Sequence, residues 1–255
     1  MSNIVPEPDT NAPGLKTNVP AGVPRPGRGR ILAIVAGVVA AIVSWGACEA
    51  TSGRFQPKRS ADAMNSMAVQ FENEELNRTE VKNAALAYGL QGAILGLVLG
   101  LAGAAARGSA GAGAGFTAAA VGLLLGGTIG SGAAIGAFMA LFRFVGANHE
   151  DLLPVLLAHE AAWAPIGAVG GLAFGLGLGG RGRVARALAG GVLGAAVAVL
   201  MYEAGGSLLF PLDRTGDPVA ATSMARLFAH GAVGLLTALG AVLFCETARP
   251  APARV

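Results

Sequence analysis

The sequence predicts an all-α fold: a polytopic membrane protein built as a glycine-zippered bundle of six transmembrane helices. Three observations carry that expectation. Hydrophobic residues make up 53% of the chain and charged residues 13%, about half the charged share of an ordinary soluble domain. Six apolar runs, at about 31–48, 84–106, 115–142, 155–179, 185–210 and 223–245, approach or exceed the roughly 20 residues that cross a bilayer core. Glycine, 40 of 255 residues, recurs at every fourth position in three of them: Gly92, Gly96 and Gly100; Gly122, Gly126 and Gly130; Gly167, Gly171, Gly175 and Gly179. On a helix that spacing draws one narrow stripe. A glycine inside a water-exposed helix costs about 1 kcal/mol against alanine. Between lipid-embedded helices it lets backbones approach, and such packing is what holds these helices together.

Residues 1–30 hold Pro6, Pro8, Pro13, Pro20, Pro24 and Pro26 among few apolar groups. They cannot bury enough surface to fold and read as a disordered cytoplasmic tail. Arg25, Arg28 and Arg30 close that tail. The run from Ile31 to Cys48 reads as a retained span, with a cleaved signal peptide as its rival. Residues 50–83 form the longest polar connection, expected on the extracytoplasmic side. From Ser60 onward the pattern is helical, with Met64, Met67, Val69 and Phe71 apolar and Glu72, Glu74, Glu75, Arg78 and Glu80 polar, as in an amphipathic helix lying along the interface or on the bundle. Pro154 and Pro211 fall at helix ends, where proline is tolerated. Pro165, inside the fourth run, is expected to kink it. The transmembrane domain therefore spans 31–247, and 248–255 form a short cytoplasmic tail.

Six spans put both termini on one side. Arg107, the group Arg181, Arg183 and Arg186, the tail arginines, Arg249 and Arg254 all fall on that side, which the bias of basic residues toward the inner face makes cytoplasmic. The expected setting is a bacterial plasma membrane. The net charge of +3 is a topology signal rather than a nucleic-acid footprint, because no basic cluster is interleaved with aromatics. The expected partner is the lipid bilayer; a protein partner is not readable from the sequence.

Spans two, four and six share wording around Gly92–Leu97, Gly167–Leu172 and Gly231–Leu236, with Tyr88, Trp163 and Phe228 shortly before each. Residues 36–50 also align without gaps on 190–204, ending Cys48-Glu49-Ala50 and Tyr202-Glu203-Ala204. Span three carries Ala134 at the glutamate position. These matches suggest a threefold repeat of helix hairpins.

Ionisable residues inside spans are costly in lipid and mark candidate sites. Here they are Glu49, Glu160, Glu203, His159, His230 and Arg226, with Gln91 and Tyr202 nearby, all toward the outer helix ends, where they could line a polar vestibule. Glu203 is expected to meet His230, because helices five and six are joined by a short loop. A carboxylate beside an imidazole is suited to passing protons or holding a cation. No Cys/His spacing suits a metal, and His159-Glu160 lacks the second histidine of a zinc-protease helix; no cofactor is expected. Ser131-Gly132 with Gly136, and Ala229-His230 with Gly234, faintly resemble the Ser and His motifs of rhomboid intramembrane proteases. Ser131, however, falls near the end of span three, and the glycine after His230 is displaced by one, so that family is not assigned. The expectation is a non-enzymatic multi-pass membrane protein, structural or partner-binding. The alternative is a small transporter or channel that uses the outer Glu/His cluster for protons or cations.

Overall fold

Long runs of Ala, Val, Leu and Gly carry no side chains that could satisfy a buried backbone, so the backbone must satisfy itself, and a helix does so within one segment. In the computed structural model, which describes residues 27–57, 66–108, 112–145, 152–211, 213 and 216–246, every element is a helix. They are α1 (Arg28–Thr51), α2 (Ser66–Arg107), α3 (Ala112–Val145), α4 (Leu152–Leu178), α5 (Arg181–Leu209) and α6 (Ser223–Glu246). All six are long and apolar enough to cross a membrane. The shortest, at 24 residues, reaches about 36 Å at 1.5 Å per residue, against a bilayer core of about 30 Å. Most of the tail, residues 58–65 within the polar connection, and the C-terminal tail lie outside the described residues.

One expectation changes. The amphipathic stretch is not a separate interfacial helix: from Ser66 it is the N-terminal part of α2, a single helix of 42 residues. No proline or glycine interrupts it before Gly89, so nothing stops the helix where its composition turns polar. At roughly 63 Å it is about twice as long as a bilayer core is thick. Its polar turns carry an exposed Glu74–Arg78 pair at 3.8 Å.

The helices sort into two classes. α1 packs between α6 and α2, α3 between α2 and α4, and α5 between α4 and α6; the even helices also touch one another. In the most apolar eighteen residues, the buried share is 56%, 67% and 50% for α2, α4 and α6, against 39%, 33% and 39% for α1, α3 and α5. The odd helices thus wear the apolar exterior, such as Ile31, Val35, Ile42, Leu124, Met139, Leu193 and Leu200. The middle is filled by Leu95, Leu99, Ile166, Phe174, Val233 and Thr237.

Glycines sit where backbones cross. Gly92 lies against Gly126, and Gly96 against Gly122; a methyl group on any of them would land on the facing main chain. A methyl on Gly100 would lie 2.7 Å from the Ala118 carbonyl carbon, and one on Gly130 2.6 Å from the Tyr88 oxygen. Between α4 and α5, Gly167 faces Gly191. A methyl on Gly171 would lie 2.8 Å from the Ala187 carbonyl carbon, and one on Gly175 2.6 Å from the Val184 Cα. Gly179 departs from this pattern. It lies just past α4 at φ 74°, followed by Gly180 at φ 92°, and its N–H bonds back to the Gly175 and Leu176 carbonyls. It is a helix stop, a conformation open to glycine and costly for other residues. The two residues Gly179 and Gly180 are the whole connection to α5.

Candidate functional site

The ends of the bundle differ in chemistry. At one, Arg30 at the start of α1 pairs with Glu246 at the end of α6, and Arg183 donates to the Leu178 carbonyl. At the other end lie all six of the ionisable residues picked out by the sequence, and there they separate into distinct groupings.

Glu203 and His159 form the buried one. Glu203 lies near the end of α5 and His159 in the second turn of α4, with His159 Nδ1 2.7 Å from Glu203 Oε1 and side-chain exposures of 1% and 3%. The approach is close, but the two groups are not aligned as a hydrogen bond. His159 Nδ1 and both Glu203 oxygens therefore lack hydrogen-bond partners, as do Trp163 Nε1 and Gln91 Nε2 nearby. Orphaned buried polar atoms are rare, and each costs about 1–3 kcal/mol, more when charged. Aromatic rings wall the pair. Phe138, Trp163 and Tyr202 stand 5.4, 5.7 and 5.7 Å from the His159 ring, centroid to centroid. Tyr88 packs behind, 6.0 Å from Trp163.

The expected Glu203–His230 pairing is thereby corrected: the ion-pair partner of Glu203 is His159. His230, also buried, instead places Nδ1 2.9 Å from the Ser44 hydroxyl of α1. Glu203 sits on α5, which touches both α4 and α6, and the side-chain direction around the helix decides for α4.

Glu49 and Arg226 form the second grouping, partly buried. Arg226 Nε donates to Glu49 Oε1 at 2.6 Å and Nη2 to Oε2 at 2.9 Å, the two-pronged geometry that suits guanidinium and carboxylate. Its remaining nitrogen, Nη1, donates to the Ala220 and Ala221 carbonyls at 2.8 and 2.7 Å. Tyr88 donates to the Pro218 carbonyl at 3.1 Å. Thr222 caps α6, accepting from Ala225 N–H while its own hydroxyl donates to Asp213. The short segment before α6 is thus strapped across the end of the bundle. Glu160, half-buried beside His159 in sequence, belongs to neither pair.

That strap separates two spaces. On one side is a cavity of about 260 Å³ lined by Cys48, Thr51, Glu80, Asn83, Asp217 and Arg226 among others. On the other is a small one of about 20 Å³, lined by Gln91, His159, Trp163, Tyr202 and His230, room for about one water. Pro218, Val219, Ala220, Arg226 and Ala87 line both. Arg226→Gln is therefore expected to loosen the strap and to cost about 1.5–3 kcal/mol, the usual worth of hydrogen bonds to a charged group. Hydrogen exchange should rise at Ala220 to Thr222 and not in α2; unchanged exchange there would mean the strap is held by other contacts.

Gln91 and Tyr202, expected near these residues, do line the small cavity with His159 and His230; the aromatic wall that Phe138 and Trp163 complete was missed. Tyr88, Trp163 and Phe228 stood out only as echoes of one another, yet Trp163–Tyr202 at 5.3 Å and Tyr202–Phe228 at 6.5 Å join them around the pair. The serine and histidine weighed against the protease motif are engaged elsewhere: Ser131 donates to the Ala85 carbonyl at 2.9 Å, and His230 meets Ser44. Cys48 and Cys245 are both unbridged. Among the described residues no cluster of three or more His, Cys, Asp or Glu is arranged to hold a metal. No family model, curated protein or solved structure matches this chain.

Proposed function

We propose that the chain is a non-catalytic, multi-pass integral membrane protein of the partner-binding kind, whose polar end responds to a bound proton or small cation. The observation that carries this reading is the His159–Glu203 pair, buried at 1% and 3% exposure, whose facing polar atoms make no aligned hydrogen bond. A buried pair of this kind is weak as a stability device but suits a group that gains or loses a proton or admits a cation. Gln91, His230 and Tyr202 lie beside the same small cavity, offering further polar groups, and the aromatic rings around His159 are of the type that favours a cation.

The bundle beneath is read as a glycine zipper, supported by the backbone-on-backbone crossings at Gly92, Gly96, Gly167 and Gly171. A threefold repeat is supported by the alternation of inner even helices and outer odd ones. It is supported further by the two ion pairs. Glu49 of α1 pairs with a base on α6, and Glu203 of α5 with a base on α4; in each case the base comes from the even helix that precedes the glutamate's helix around the ring. The orientation, with both termini cytoplasmic in a bacterial plasma membrane, rests on the arginines at the opposite end.

A second reading, a small transporter of protons or cations, draws on the two neighbouring cavities at the strap. Trp163, 5.7 Å from the His159 ring, separates the possibilities. In a Trp45→Phe background, Trp163 fluorescence is expected to change with pH or added cation, and Glu203→Gln, which keeps the shape and removes the charge, should abolish that change. Dye-loaded vesicles carrying the protein should show no proton or cation flux beyond empty vesicles. Flux abolished by Glu203→Gln would replace the binding reading with transport, and a fluorescence signal indifferent to Glu203 would remove both.

A further inference from the structure

Away from the buried pair, a large groove lies between the N-terminal half of α2 and the C-terminal half of α3. Its volume is about 910 Å³. Its wall is apolar, with Val81 and Leu86 from α2 and Ile135, Met139 and Phe142 from α3. Ile135 and Met139 are 40% and 58% exposed. Its rim is basic: Arg78, Lys82 and Arg143 border it, against a single carboxylate, Glu74, which already faces Arg78 at 3.8 Å. Neither Lys82 nor Arg143 is paired with a carboxylate among the described residues.

This combination has a physical logic. α2 continues past the apolar part of the bundle as a polar helix, so the groove runs from the lipid-facing side of the helices to their charged end. From Ser131 to Arg143, both on its α3 side, the helix rises about 18 Å, comparable with the depth of one bilayer leaflet of about 15 Å. A molecule that fits is apolar along that length and carries negative charge at one end. We propose that the groove seats one anionic phospholipid, its acyl chain along Val81, Leu86, Ile135 and Met139 and its phosphate at Lys82 and Arg143. Basic side chains beside a membrane surface each contribute on the order of 1 kcal/mol toward anionic lipid, and among the described residues no carboxylate pairs with Lys82 or Arg143 to compete for them. A zwitterionic lipid offers the same chain but no net charge, and inorganic phosphate offers the charge but no chain.

The test is lipid retention measured by native mass spectrometry on protein taken from mixed vesicles of phosphatidylglycerol and phosphatidylcholine. The expected result is one phosphatidylglycerol retained in preference to phosphatidylcholine. Lys82→Gln combined with Arg143→Gln should weaken that preference by roughly ten- to thirty-fold, as about 1 kcal/mol for each cation implies. Both positions are exposed, so the lipid-free melting temperature should stay unchanged. Ile135→Trp, which fills the groove without touching the charges, should displace the lipid of either headgroup. Equal retention of the two lipids by the native chain, an unaltered preference in the double variant, or displacement by millimolar inorganic phosphate as effective as by added lipid would each overturn the assignment.

Discussion

Replacing Gly171 with leucine is expected to cost about 3 kcal/mol, the upper end of what overpacking usually takes from a folded protein. The reason is what faces the glycine. A methyl group there would lie 2.8 Å from the Ala187 carbonyl carbon and 3.0 Å from the Leu188 Cα, and main-chain atoms of a helix cannot swing aside as a side chain can. Even alanine has to push α5 away from α4, which would reopen a contact that also carries Gly167 against Gly191. Gly136 is the matched control: it lies inside α3, is exposed, and has no atom within 4 Å of an added methyl group. Gly136→Leu should therefore stay within about 0.5 kcal/mol of the native chain. Unfolding in mild detergent, followed by loss of helical circular dichroism, measures both. If the two variants unfold alike, the close approach of α4 and α5 is not what holds them together.

The ease with which six helices could be read from the sequence has a plain cause. Lipid-compatible helices need uninterrupted apolar length, and length is a property of the one-dimensional chain. Stops are legible where the backbone itself changes, as at Gly179-Gly180, although the spacing of Gly167, Gly171 and Gly175 drew Gly179 into the stripe one residue too far. The join between the amphipathic stretch and α2 was not legible, because a change from polar to apolar composition resembles a boundary even where no residue breaks the helix.

Partner choice in the polar end was the least legible part. His159 lies seven residues after Leu152 at the start of α4, and His230 seven after Ser223 at the start of α6. Depth in the bundle therefore offered Glu203 two equal candidates. The loop from α5 to α6 favoured His230, yet the two-residue link between α4 and α5 binds that pair of helices at least as tightly. What decides is the angle at which each side chain leaves its helix, and that follows from how α4 and α5 cross at their close backbone contacts. Gly167 and Gly171 against Gly191 and Ala187 fix that rotation far from Glu203, where composition at the site itself carries no trace of it.

The His159–Glu203 pair should show the largest non-additivity in the protein. Glu203→Leu alone is expected to destabilise by about 3–5 kcal/mol, and His159→Leu alone by a similar amount, because each leaves a buried polar partner without a counterpart. The double variant should recover most of that loss and fall near the native chain, since two apolar side chains of similar bulk among Phe138, Trp163 and Tyr202 need no hydrogen bonds. The exposed Arg78–Glu74 pair supplies the scale for an ordinary ion pair. At 3.8 Å and 69% and 66% exposure, its removal should cost no more than about 0.5 kcal/mol. Denaturation in detergent micelles of the four variants around Glu203 and His159 gives the coupling directly. If either single leucine variant costs no more than Arg78→Gln, the site is solvated in the native protein. A double variant as unstable as the sum of the singles would show instead that the two side chains act independently. The expected outcome, a costly single and a tolerated double, would mean that the pair is kept at the expense of stability, which is how a site retained for binding differs from one retained for structure.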